Sequence, residues 1–258
     1  MKYYEQMINL GCFSHDDIEQ LTGNRDSAHS LIESYKRKGF VESVKRDLFV
    51  AISLETKQPV PTRYAIASHA APNAYVVYHS ALEYHGIANQ VYFEVYASSE
   101  SRFRTFEHGG LSYRHVSIPI KVGVDEKSDG VRVTDLERTV IDGINDFDKM
   151  GGLDELLRAI DMIPFLNSDK LIYYLDLYNK AFLYQKAGYI LMNYRNQLKL
   201  TDEFFDNCRT KFSSIKRYLH RSFLPKNLVF NKEWALYVPE NISVVTRKGA
   251  TSLFYIGL

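Results

Sequence analysis

Along the first forty residues apolar side chains recur at helical spacing, and glycines interrupt them. Tyr3, Tyr4, Met7 and Ile8 share one side of a short helix over residues 2–10, closed by Gly11. Ser14 and Asp17 stand three residues apart, a weaker version of the Ser/Thr-x-x-Glu capping box, and Ile18 and Leu21 follow before Gly23 stops the run. Asn24 is a strong N-cap type and opens a third helix in which Ala28, Leu31, Ile32 and Tyr35 occupy i, i+3, i+4 and i+7 up to Gly39. After Gly39 the period becomes two. Phe40, Val41 and Val44, then Leu48, Phe49, Val50 and Ile52, flank the polar tip Lys45-Arg46-Asp47, which reads as a hairpin. Three short helices sharing a small core, followed by a two-stranded wing, are the winged variant of the helix-turn-helix. There the third helix enters the DNA major groove and the wing touches phosphate or the minor groove.

If the apolar stripe of the third helix faces inward, Asp26, Ser30, Glu33 and Arg37 face outward, flanked by Ser27, His29 and Ser34. The candidate DNA contacts are therefore Arg25, Ser27, His29, Ser30 and Arg37, with Lys45 and Arg46 at the wing as the expected phosphate contacts. Residues 24–50 hold six basic and four acidic groups, a net of +2, which implies few phosphate contacts and a shallow salt dependence. Winged helices also serve as protein–protein modules, so this charge leaves both uses open. Gln58-Pro59-Val60-Pro61-Thr62 then fixes an extended segment, because proline supplies no N–H and locks φ. A domain boundary is expected there, separating a winged helix over 1–60 from a larger domain over 61–258.

In the larger domain Val76-Val77-Tyr78 reads as a short buried strand, followed by one or two helical turns from His79 to Gly86 with Ser80 and Glu83 in capping-box register. Val91 to Tyr96 and Leu111 to Ile120 read as strands. Gly130 to Val133 leads into a helix opened by Thr134 and Glu137, with Arg138 and Asp142 as i, i+4 partners. Strands mixed with helices give an α+β part over 61–148. From Gly152 the pattern is helical. Leu153 to Ile160 is one segment, and Leu171 to Tyr184, apolar on nearly every side, is expected at the centre of a helical core. Further helices are expected over 187–200, 201–212 and 214–223, making 149–258 a mainly helical part. The fold class expected for the whole chain is α+β, an N-terminal winged helix followed by a larger mixed lobe.

VYHSALEYHGI, the FEVYAS strand and GVRVTDLERTVIDGIND together resemble the pattern of the AbiEi family, antitoxins of type IV toxin–antitoxin and phage abortive-infection systems. The motifs span roughly residues 10–145, and LPKNLVFNKEWALYVP near the end is similar to a family tail. The resemblance implies a winged helix followed by an antitoxin domain, an antitoxin without catalytic activity, and a cognate toxin resembling the AbiEii nucleotidyltransferases with which it need not form a stable complex. It also implies repression of its own promoter at inverted repeats, with self-association of several copies on DNA. A stand-alone winged-helix regulator without a toxin partner is the alternative. A nucleic-acid-processing enzyme would be a third class.

Charge shifts toward the C-terminus. Residues 186–232 contain ten lysines and arginines against three acids, a net of +7. If 214–223 is helical, Ile215, Tyr218 and Leu219 take one side while Lys216, Arg217, His220 and Arg221 form a basic face. A face built from Arg195, Lys199, Arg209, Lys211, Lys216, Arg217, Arg221 and Lys226 is the candidate antitoxin surface, toward RNA or DNA phosphate or an acidic surface. The bland alternative is solvated charge. Trp234 and Tyr237 read as core closures.

The 258 residues carry 45% hydrophobic and 24% charged side chains, values of a folded rather than a disordered chain, and a net charge of +1 gives no global polyanion-binding field. Cys12 and Cys208 are too few for a disulfide framework or a thiolate zinc site, which fits a reducing cytoplasm. Acidic residues interrupt the N-terminal segment before a signal-peptide core forms. The uncharged stretch Tyr64 to Leu82 carries His69, Asn73 and His79, too polar for lipid, so no membrane partner is expected. His79, Ser80, Glu83 and His85 contain hydrolase residue types without a triad spacing or a G-x-S-x-G elbow, so Ser80 reads as a helix cap. His69, His79, His85, His108 and His115 lack metal-ligand register. Asp146-Phe147-Asp148 lacks the Gly-Ser turn of a nucleotidyltransferase. No catalytic residue, metal or cofactor is expected.

Overall fold

The computed structural model describes residues 2–88, 90–220 and 228–239. They fall into two compact units, one within Met1–Tyr84 and Val91–Thr134, the other within His85–Gln90 and Asp135–Leu258. The fold is α+β.

The first unit opens with α1 (Tyr4–Leu10), β1 (Cys12–Phe13), α2 (His15–Thr22), α3 (Arg25–Arg37), β2 (Val41–Lys45) and β3 (Leu48–Ala51). Local chemistry sets these boundaries. Ser14 and Asp17 form the reciprocal capping box of α2, Gly23 ends that helix in the left-handed region, and the Asn24 side chain accepts the Ser27 N–H at the start of α3. The hairpin β2–β3 is joined by β1, which pairs antiparallel with β3 at Cys12↔Val50 and Phe13↔Phe49, giving a three-stranded sheet in the order β1-β3-β2. Two residues carry no readable period, so β1 has no sequence signal.

β3 is buried along its whole length because its alternate side chains serve two cores. Phe49 and Ala51 pack with Met7, Ile18, Ala28, Ile32 and Tyr35 of the helices. Leu48, Val50 and Ile52 pack the other way, with Ile66, Ala67, Ala70, Val76, Val95 and Val133. The Pro-rich segment at 58–62 therefore does not separate two cores, and the division between compact units falls at Thr134/Asp135 instead. Proline fixes the path of the chain there, but tertiary packing decides which residues share a core.

The unit continues with α4 (Arg63–Ser68), β4 (Tyr75–Val76), α5 (Tyr78–Tyr84), β5 (Glu94–Ser98), β6 (Phe106–His108), β7 (Leu111–His115), β8 (Val124–Glu126) and β9 (Arg132–Thr134). Its strands form a mixed sheet in the order β6-β7-β5-β4-β9-β8, with parallel pairs β5–β7 and β4–β9. Thr62 caps α4 by accepting the Ala65 N–H.

The second unit is built from α6 (Leu136–Asn145), a 3-10 turn (Phe147–Met150), α7 (Leu153–Met162), α8 (Ser168–Tyr178), α9 (Ala181–Met192), α10 (Arg195–Leu198) and α11 (Asp202–Lys211). It closes with β10 (Arg217–Tyr218), β11 (Leu228–Asn231) and β12 (Leu236–Pro239), a small sheet in the order β10-β12-β11. Three expectations are corrected here. Asp135, not Thr134, caps α6 by accepting the Arg138 N–H. The apolar run from Leu171 to Tyr184 is broken by Asn179 in the left-handed region, which ends α8. Residues 214–223 do not begin as a helix: Arg217 and Tyr218 pair parallel with Leu236 and Tyr237. A periodicity of three apolar residues cannot distinguish a short helix from a strand whose partner lies some twenty residues away. Trp234 is buried, as expected, with its ring against Gly188 so closely that a Cβ there would lie 2.1 Å from the ring. The Gln185 side chain donates to the Trp234 and Ala235 carbonyls, fixing the sheet to α9.

Candidate nucleic-acid interface

Ala28, Ile32 and Tyr35 bury one side of α3, with Leu31 partly buried. Arg25, Ser27, His29, Ser30 and Arg37 are exposed on the remainder. At 100° per residue Arg25, His29, Ser30 and Arg37 fall within an arc of about 140°. Arg25 and Arg37 make no hydrogen bond or ion pair among the described residues, nor does Arg46 at the hairpin tip. The acids that weaken this face on paper are partly neutralised. Lys36 Nζ bonds Glu33 at 2.9 Å, and that hydrogen bond holds the Glu33 carboxyl below its usual range.

The hairpin tip is docked onto the start of α2. Asp47 Oδ1 accepts the His15 N–H at 2.9 Å and lies 2.7 Å from His15 Nδ1. Burial opposes charge on Asp47, but the His15 bonds prevail and hold its carboxyl below the usual range. The His15 ring in turn stacks on His29 of α3, centroids 5.5 Å apart, and meets Phe49 edge-on. α2, α3 and the hairpin are thus tied together through one cluster, which presets the spacing between the α3 face and Arg46.

Lys45 departs from its expected role. Its ammonium donates to the Ala70 carbonyl and lies over the rings of Phe103 and Phe106, and burial lowers its pKa. It holds the hairpin to the mixed sheet, leaving Arg46 as the exposed cation of the tip.

The basic tract of the second unit is a different case. Arg195 pairs with Asp202 at 2.5 Å, Arg209 with Asp206 and Glu233 at 2.7 and 2.8 Å, and Lys211 with Asp176 at 2.5 Å. Arg217 stacks over Phe182, and Lys216 lies over Phe230. Lys199 is exposed in a left-handed turn. Lys186 is buried beneath Phe147 and Phe182, donating to the Asn145 carbonyl, and burial pushes its pKa down to about 8. The expected single basic face is therefore not assembled from a helix, and three of its six described cations already have acidic partners. Arg221 and Lys226 lie outside the described residues.

The HSALEYHG motif folds into α5 with a packing role. Ser80 is fully buried and does not cap the helix: its Oγ accepts the Tyr96 N–H at 3.0 Å and lies 3.3 Å from His79 Nδ1. The His79 ring stacks on Tyr92 at 3.9 Å, and burial together with the Arg63 charge pushes its pKa down to about 3. Glu83 pairs with Arg63 at 3.2 Å, and the burial of its carboxyl raises its pKa. The ERT motif makes a buried network. Arg138 Nε donates to both Asp142 oxygens at 2.8 and 2.9 Å, Tyr178 donates to Asp142 at 2.6 Å, and Tyr174 donates to Asp135 at 2.6 Å. Arg138 and Asp142 are both fully buried, so these residues fix shape. Among the described residues no group of three or more His, Cys, Asp and Glu side chains could hold a metal ion. No helix among them is long and apolar enough to cross a membrane.

The chain is an α+β protein whose first unit carries a three-helix, three-stranded module at its start. No family model matches the chain, and no curated protein matches it. Its fold is similar to that in the crystal structure of the RV2827C protein from Mycobacterium tuberculosis, at 13% identity and a TM-score of 0.60, over 91% of this chain and 88% of that one.

Proposed function

We propose that this protein is the antitoxin of a type IV toxin–antitoxin system, opposing a nucleotidyltransferase-like toxin and repressing its own promoter through an N-terminal winged helix. The observation that carries the DNA-binding half is the α3 face: Arg25 and Arg37 are exposed and without ion-pair partners, beside Arg46 at a wing whose position the His15–Asp47 bonds fix. The element order α1-β1-α2-α3-β2-β3 supports the same reading. The antitoxin half rests on the resemblance of the HSALEYHG and TDLERT segments to the AbiEi pattern.

One observation favours a stand-alone regulator instead. Arg195, Arg209 and Lys211, expected on an antitoxin face, already have acidic partners. Two measurements separate the readings. Growth of cells expressing the adjacent gene, alone and with this protein, tests antagonism. Binding of the purified chain to its upstream region tests repression. Rescue with binding supports the proposal, binding with no toxicity to rescue supports the stand-alone regulator, and neither sinks both.

A further inference from the structure

Between β5 and β6 the chain runs through Ser99-Glu100-Ser101-Arg102-Phe103-Arg104-Thr105. Phe103 is buried, packed edge-on to His115 and in the core that includes Val44 and Leu48 of the hairpin. Arg102 and Arg104 on either side of it are exposed. With Phe103 anchored inward, the flanking Arg102 and Arg104 both reach solvent. They line a cleft of about 510 Å³ with Thr105 and His115. Neither arginine makes a hydrogen bond or ion pair among the described residues. Glu100, two residues before Arg102, lies 3.9 Å from Lys121.

The position of this cleft gives it meaning. The Lys45 ammonium of the wing lies 5.8 Å from the centre of the Phe103 ring and 5.7 Å from that of Phe106, so the cleft adjoins strand β2 of the hairpin. Lys45 is the residue that sequence spacing assigns to phosphate, and it is held inward. Arg102 and Arg104 put two unpaired cations beside the place it leaves. Guanidinium suits phosphate through paired N–H donors, and the Thr105 hydroxyl adds a neutral one.

We propose that the Arg102–Arg104 cleft is a second DNA-backbone site, which grips phosphates of the same duplex that α3 and Arg46 contact and so extends the interface beyond the three-helix module. This inference rests on the DNA-binding reading. Because phosphate contacts carry no base information, the site adds affinity and salt dependence but no sequence preference.

The test uses the full chain and fluorescence anisotropy with two 30-base-pair duplexes, the upstream region and a scrambled sequence, across a potassium chloride series. Removing two phosphate contacts lowers the slope of log K against log salt by about 1.8. R102Q/R104Q is therefore expected to flatten the slope by that amount and weaken both duplexes by the same factor, while R102K/R104K retains the wild-type slope. Both positions are exposed, and circular dichroism checks that each variant is folded. An unchanged slope in R102Q/R104Q, with R25Q/R46Q weakened, overturns the second site and leaves the DNA-binding reading standing. No binding of either duplex by the wild-type chain overturns both. Loss confined to the upstream duplex also overturns the proposal, because that is the signature of base readout.

Discussion

Residues 24–50 carry a net charge of only +2 and residues 186–232 carry +7, yet three cations of the second region are matched by acids within the fold. Arg25, Arg37 and Arg46 make no ion pair, whereas Arg195, Arg209 and Lys211 are matched to Asp202, Asp206, Glu233 and Asp176, and Lys186 is buried. Net charge along a sequence counts groups, and binding depends on those left unmatched. Two of the matching acids, Asp176 and Glu233, lie outside the helix that carries Arg209 and Lys211 and are brought there by the fold. Under the proposed reading Arg209 and Lys211 act on stability, whereas Arg25, Arg37 and Arg46 act on binding.

The largest effect is expected at the pair most deeply enclosed. Arg138 and Asp142 are fully buried, and Arg138→Ala would leave the Asp142 carboxylate with Tyr178 but without its cation. Removing one member of such a pair costs about 3–5 kcal/mol. Denaturant unfolding measures it, and a loss below about 1 kcal/mol would refute the structural role assigned to the ERT motif.

Buried bases in both units give smaller effects with a defined sign. The pKa of Lys186 in the folded chain is about 8, below its ordinary value near 10.5. Between those values the unfolded chain holds the proton that the folded chain has released, so stability rises with pH. From pH 8 to 9.5 the gain from this group is about 1.6 kcal/mol, and Lys186→Met should abolish it. A melting-temperature series in which wild type and Lys186→Met share one pH profile would count against burial of the charged form. His79 follows the same sign in a lower window. Its folded pKa of about 3 lies below the ordinary 6.5, so stability is fully present above 6.5 and is lost as pH falls, by about 2 kcal/mol at pH 5. His79→Phe, which keeps a ring against Tyr92, should be less sensitive to acid than wild type over pH 6.5 to 5.

The legible parts of this chain are those whose partners lie within a few residues. Ser14 with Asp17, Asn24, and the α3 stripe of Ala28, Ile32 and Tyr35 act within a few residues of themselves, and they stand in the structure where their spacing puts them. The i, i+4 pairing of Arg138 with Asp142 is equally local. What spacing does not contain is the long-range partner. β1 exists only because Val50 and Phe49 lie opposite it, β10 because Leu236 and Tyr237 do, and the double burial of β3 joins two cores across a Pro-rich segment. Lys45 reads as a free wing cation until Ala70 and Phe103 are brought to it. Arg102 and Arg104 sit in a polar tract without period, so only the anchoring of Phe103 reveals that both reach solvent.

The smallest expected change is also the sharpest comparison between the two regions. Arg25→Gln removes an exposed cation without a partner, so unfolding free energy should move by no more than about 0.5 kcal/mol, while the salt slope for duplex DNA falls by about 1. Arg209→Gln removes an exposed cation with two acidic partners. Exposed pairs are each worth about 0.2–1 kcal/mol, so stability should fall slightly and the salt slope should not change. Measuring both quantities for both variants makes the assignment of roles reciprocal. A slope that falls equally in the two would mean that the ion pairs of Arg209 exchange readily for phosphate, and that the +7 tract is available to nucleic acid after all.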